Sequence, residues 1–134
     1  MERRAVASSV AGIALAVWCA ASSAHSDMEK PLFVAGDGID AGRCLDPASP
    51  CRTISYALGR VGKGGQIRVA GGNYALSDPG DLFQIVSGIT NVRAGFDPAD
   101  RFETPGVSTT VLLGVPAEYR SQLASLGFHV VADR

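Results

Sequence analysis

The sequence has no basic run. Its 12 lysines and arginines face 13 acidic residues, for a formal net charge of −1. It therefore lacks the electrostatic footprint that contact with a phosphate backbone requires, and nucleic-acid binding has no support. Past the first two dozen residues no apolar stretch reaches the roughly 20 residues that a membrane span takes. The phosphate-loop pattern G-x-x-x-x-G-K-[ST] is missing: in Gly62-Lys63-Gly64-Gly65 a glycine follows the lysine, and the segment reads as a helix stop with a solvated lysine. No serine stands in a G-x-S-x-G setting, and EF-hand spacing is absent. Cysteine is scarce, with three in the chain. Two of them plus a distant His129 do not make the four ligands of a zinc site.

What is present begins with an export signal. Met1-Glu2-Arg3-Arg4 supplies a positive start, residues 5–21 carry no charge, and small residues follow in Ala20-Ala21-Ser22-Ser23-Ala24. Ser22 and Ala24 occupy the −3 and −1 positions of a cleavage site, so residues 1–24 read as a secretory signal peptide. Ser8, Ser9 and Gly12 weaken the apolar run as a membrane anchor. Trp18 before Cys19 disfavours a lipid on that cysteine, because the preceding residue should be small. Removal of residues 1–24 takes away Arg3, Arg4 and Glu2, leaving 10 basic and 12 acidic residues, a net −2. Residues 25–134 suffice for one domain. The expected location is secreted, periplasmic or cell-surface. Cys44 and Cys51 stay behind as an even pair in an oxidising compartment, with Pro47 and Pro50 bending the loop between them. A disulfide is expected, contributing about 2.5 kcal/mol for so short a loop.

Local patterns give a mainly β chain with short helices. Leu32–Ala35 reads as a strand, and residues 36–50 as a loop rich in Gly, Asp and Pro. A helix follows, with Ser49 as its N-cap and Pro50 at its first position. Ile54, Ala57, Leu58 and Val61 form its apolar stripe, and Gly62, Gly64 and Gly65 end it. Ile67–Ala70, Phe83–Val86, Asn91–Ala94, Thr109–Leu113 and Phe128–Val131 are further strand candidates. A second helix is expected from Pro116 to Leu126. Val92, Val111 and Val130 fall 19 residues apart, each within a strand candidate. That spacing suggests stacked coils of a solenoid. A βαβ arrangement, with the second helix crossing between Thr109–Leu113 and Phe128–Val131, fits almost as well.

The stretch Phe33-Val34-Ala35-Gly36-Asp37-Gly38, then Pro50-Cys51-Arg52-Thr53-Ile54 with Ala57-Leu58, then Gly65-Gln66-Ile67-Arg68-Val69-Ala70-Gly71-Gly72-Asn73-Tyr74, resembles the start of bacterial pectin-lyase-like proteins. Gln66 departs from the aspartate usual in that pattern. The match covers residues 32–76, about two-fifths of residues 25–134. The resemblance implies the start of a right-handed parallel β-helix, residues 25–134 forming an N-terminal capping helix and first coils. The alternative is a small secreted α/β domain. The chain stops at Asp133-Arg134 directly after a strand candidate, so a longer polypeptide or a pairing partner supplying the missing C-terminal coils is expected.

Candidate chemistry is thin. Asp37 and Asp40 in Gly36-Asp37-Gly38-Ile39-Asp40 partly match a calcium-binding nonapeptide that works only in tandem, and here there is one copy. Asp97 and Asp100 flank Pro98. A carboxylate pair can hydrolyse glycosides, and aspartate before proline is also an ordinary turn starter. His129 has no partnered Ser, Cys or Asp motif, and His25 carries no signal. Arg93 and Arg101 acquire interest only through the resemblance, since β-helix lyases set arginine or lysine against acidic sugars. No cofactor is implied. The expected function is an exported, non-catalytic module of a cell-surface or envelope protein, structural or binding a polysaccharide or a partner. The alternative is the N-terminal part of a polysaccharide lyase or glycoside hydrolase whose active site lies beyond residue 134.

Overall fold

A computed structural model of the chain describes residues 30–132. The signal segment 1–24, Cys19 and His25 lie outside the described residues. Among these residues, six strands and three short α-helices follow in the order β1 (Leu32–Val34), α1 (Ile54–Leu58), β2 (Gln66–Ala70), β3 (Gly72–Ala75), α2 (Pro79–Val86), β4 (Asn91–Phe96), β5 (Thr110–Val115), α3 (Arg120–Ala124) and β6 (Phe128–Ala132). The strands form two parallel three-stranded sheets, ordered β1-β2-β4 and β3-β5-β6. Parallel neighbours need a crossover. Helix α1 lies between the paired strands β1 and β2, and α3 between β5 and β6.

This arrangement overturns the β-helix expectation. The two small sheets do not close and do not build a solenoid, and a small α/β domain describes the chain. The 19-residue spacing dissolves in the register. Val92 pairs with Ile67 in the first sheet, whereas Val111 and Val130 belong to the second, where Val111 stands opposite His129 and Val130 opposite Leu112. The three valines are thus not stacked equivalents. The βαβ crossing between β5 and β6 is the local arrangement that holds.

The first helix starts later than its sequence suggests. Ser49 and Pro50 do not cap it. Ser49 closes a turn on the Asp46 carbonyl, and Cys51 is drawn into a one-residue parallel bridge with Val34. The Cys51 amide donates to Phe33 and its carbonyl accepts from Ala35, both at 2.9 Å. Residues committed to extended pairing cannot enter a helix, so Thr53 becomes the N-cap and accepts from the Tyr56 amide through its hydroxyl. Phe83–Val86 is helix, not strand. Asp78 caps α2 by accepting from Gly80 and Asp81, and Pro79 occupies its first turn. Residues 116–126 divide into a 3₁₀ turn, Ala117–Tyr119, followed by α3. Pro116 stands outside the helix.

One core fills the space between the sheets. Ile67, Val69 and Val92 of the first sheet meet Tyr74, Leu112 and Val130 of the second, and Ile54, Ala57, Leu58, Leu82, Ile85 and Leu123 of the helices join them. The opposite face of the first sheet carries a smaller cluster of Phe33, Ala35, Ala70, Phe96 and Phe102. Phe102 is fully buried, with its ring 5.0 Å from Phe33 and 6.5 Å from Phe96. Both faces of this sheet are therefore covered, as parallel strands prefer. The outer face of the second sheet is open, and Leu113 and Val131 are exposed there. Register slips in β4 and β5 coincide with glycines at positive φ, Gly95 at +86° and Gly114 at +80°. The extra bulge residue takes a left-handed conformation there that glycine adopts without steric cost.

Candidate functional site

Parallel pairing decides which distant residues meet. Leu32 stands opposite Ile67, so the residues leading into β1 and those leading into β2 share one end of the sheet. Lys30 and Leu32 come from the first approach. Lys63 and Gly65 come from the second. Arg60 and Val61 come from the end of α1, and Arg43 and Leu45 from the loop after β1. Together they line a cleft of about 250 Å³. Four cationic side chains surround an apolar floor of Leu32, Leu45 and Val61, and among the described residues no acidic side chain lines it. Arg43, Arg60 and Lys63 are exposed, so their charges reach solvent and any ligand entering from it.

The walls are held by neighbouring structure. The Cys44–Cys51 disulfide spans 5.3 Å between Cα atoms and is buried. It ties the Arg43–Leu45 segment to the strand-like residue before α1. The Cys44 carbonyl also accepts from the Phe33 amide at 2.8 Å. On the helix side, the guanidinium of Arg60 lies over the Tyr56 ring at 4.6 Å, a cation–π contact. The Tyr56 hydroxyl donates to the Gly42 carbonyl at 3.0 Å. Tyr56 thus touches both walls, beside Arg43 and against Arg60. Gly64 anchors the Lys63 turn by donating to the Ile89 carbonyl at 2.9 Å.

Asp37 and Asp40, the calcium candidates, serve differently. One oxygen of Asp40 accepts from the Arg52 and Thr53 amides at 2.7 and 2.8 Å, and the other from the Thr53 hydroxyl at 2.8 Å. Burial pushes its carboxyl pKa up, but the bonds from Thr53 and Arg52 and the Arg52 charge outweigh burial and hold it below 3.8. The carboxylate is a clamp on the start of α1. Asp37 is exposed and lies near Tyr74, whose hydroxyl donates to the Ala70 carbonyl at 3.0 Å. Burial, aided by the Asp37 charge and opposed by the Gly36 amide, pushes the Tyr74 phenol up to about 12. Among the described residues no group of three or more His, Cys, Asp or Glu side chains is placed to hold a metal ion.

The remaining candidates are scattered. Asp97 accepts from the Ala99 amide and Asp100 from the Glu103 amide, so both carboxylates serve their own turn. His129 lies exposed on β6 beside Arg120 in a shallow depression. Arg93 is exposed on β4, and Arg101 sits at φ +60° in the following loop. None of them lines the basic cleft. The cleft is hidden in the sequence because its four cations are spread between positions 30 and 63 and form no run. The Leu32–Ile67 register brings the two strand approaches together, each carrying a lysine two or three residues ahead of its strand, and the disulfide-held loop and the end of α1 add Arg43 and Arg60.

No protein-family model matches the chain, and neither the curated proteins nor the solved structures contain a significant match.

No helix among the described residues is long and apolar enough to cross a membrane.

Proposed function

We propose that the protein is an exported binding module, without a catalytic step of its own, that holds an acidic polysaccharide in the basic cleft. One observation carries the reading: Arg43, Arg60 and Lys63 converge on an apolar floor, and no acidic side chain lines the cleft among the described residues. Charged substituents of a sugar chain pair with the cations, while the C–H face of a sugar ring covers Leu32, Leu45 and Val61. Guanidinium groups suit this task because their planar forks match oxyanions in two-point contact. Export is supported by the signal-like residues 1–24 and by the Cys44–Cys51 disulfide, a bond that persists in oxidising compartments.

The test is affinity electrophoresis and calorimetry with carboxymethyl dextran, dextran sulfate and neutral dextran. Binding of the acidic polymers alone is expected, weakening as salt rises, with no release of reducing ends. The triple variant R43Q/R60Q/K63Q is expected to lose binding while keeping its melting temperature. Equal affinity for neutral dextran, full binding by the triple variant, or cleavage of any of the polymers would sink the reading.

A further inference from the structure

We infer that Tyr56 is a positioning residue for the cleft, setting the two arginines as a preformed pair for a forked oxyanion such as a carboxylate or sulfate. The inference rests on the cleft being the binding site. An exposed arginine ordinarily samples many rotamers, and fixing it on a ligand costs conformational entropy. Here the Arg60 guanidinium already lies on the Tyr56 ring at 4.6 Å. Arg43 follows Gly42, whose carbonyl accepts from the Tyr56 hydroxyl at 3.0 Å, and precedes Cys44, which is held in the disulfide. The backbone on both sides of Arg43 is therefore fixed. It also turns tightly, with Gly42 at φ +68° and Cys44 at +59°.

Tyr56 is itself anchored. Its amide donates to the Thr53 hydroxyl, which donates to Asp40. Asp40 and Gly42, two points of one loop, are thus fastened to one turn of α1, and the ring between them faces Arg60. The phenol touches both arginine-bearing walls by contacts of different kinds, a ring face and a hydroxyl. Separating these two contacts by substitution separates the two arginines.

The experiment measures dissociation constants for carboxymethyl dextran and dextran sulfate, with melting temperatures on the same samples, for wild type, Y56F, Y56L, R43Q and R43Q/Y56F. Y56F keeps the ring under Arg60 and loses the tie to Gly42. It is expected to weaken binding about twofold. Y56L loses both contacts, and about a five- to tenfold loss is expected. The hydroxyl acts through Arg43, so R43Q/Y56F is expected to bind no more weakly than R43Q alone. Unchanged affinity in Y56L with a lowered melting temperature would assign Tyr56 a purely structural role and overturn the inference. Additive losses in R43Q and Y56F would overturn it too, and this comparison stands even if Y56L does not fold. Binding that falls in R43Q but not in either Tyr56 variant refutes this inference alone. Absence of binding by the wild-type protein refutes the reading of the cleft, and this inference with it.

Discussion

Thr110 is buried, and its hydroxyl does two things at once. It donates to the Ala70 carbonyl at 3.0 Å and accepts from the Gly95 amide at 2.9 Å. Ala70 and Gly95 belong to the first sheet and Thr110 to the second, so one hydroxyl stitches the sheets together. Thr110→Val keeps the shape and removes both bonds. It should cost about 1–3 kcal/mol in urea denaturation, since the Gly95 amide is left buried without its acceptor. Asp40 works in the same way at the surface. Its folded pKa is depressed, so the stability it supplies is complete above 3.8 and is lost as pH falls through the lower folded value. Asp40→Asn should melt below wild type at neutral pH. The gap should narrow below about pH 4 when melting temperature is followed against pH. At this scale the sequence was readable where bonding is local and opaque where it is not. Asp78-Pro79 carries a helix-start pattern, outvoted in the sequence by the apolar run Phe83–Val86. Nothing near Asp40 announces that its partners stand 12 and 13 residues ahead.

At the scale of elements, strands were more legible than the helices between them. Leu32–Val34, Gln66–Ala70, Asn91–Phe96, Thr110–Val115 and Phe128–Ala132 lie where short apolar runs placed strands, within two residues at each end. The strand Gly72–Ala75 was hidden by its own composition, because Gly71-Gly72 reads as a stop. Phe83–Val86 reads as a strand because Phe83, Ile85 and Val86 crowd four residues, whereas the cap at Asp78 starts a helix that runs through them. The start of α1 moved from Ser49 to Thr53 because pairing with β1, a tertiary contact, claimed Cys51 first. The disulfide was legible from cysteine arithmetic alone, and it links residues seven apart. Replacing both cysteines by alanine should cost about 2.5 kcal/mol. Because Arg43 and Leu45 flank Cys44, affinity for acidic dextran should fall along with stability. Parallel denaturation and calorimetry on the double variant check both. The loop is also sterically fixed: a Cβ on Gly38 would lie 2.4 Å from the Pro50 carbonyl oxygen and 2.7 Å from that of Cys51. Gly38→Ala should destabilise by about 1–3 kcal/mol, read by thermal melting.

On the scale of the whole molecule, topology is what the sequence concealed. The recurrence of valine every 19 residues is real in the chain and empty in the fold, because parallel sheets take their order from register and crossovers. β4 goes to the first sheet and β5 to the second, so equally spaced residues land in different layers. The same topology makes the cleft. It gathers one cation from before β1, one from the loop after it, one from the end of α1 and one from before β2. The outer face of the second sheet, with Leu113 and Val131 exposed beside His129, is the contrasting surface. It carries exposed apolar side chains where the cleft carries cations.

The most direct measurement is backbone amide chemical-shift mapping of the ¹⁵N-labelled protein during titration with short carboxymethyl dextran fragments. The expected shifts cluster at Arg43, Leu45, Arg60, Val61, Lys63 and Gly65, and shrink as salt is added. Shifts confined to the strands of the second sheet, around Asn73, Leu113 and Val131, or no shifts at all, would contradict the assignment of the basic cleft as the binding site.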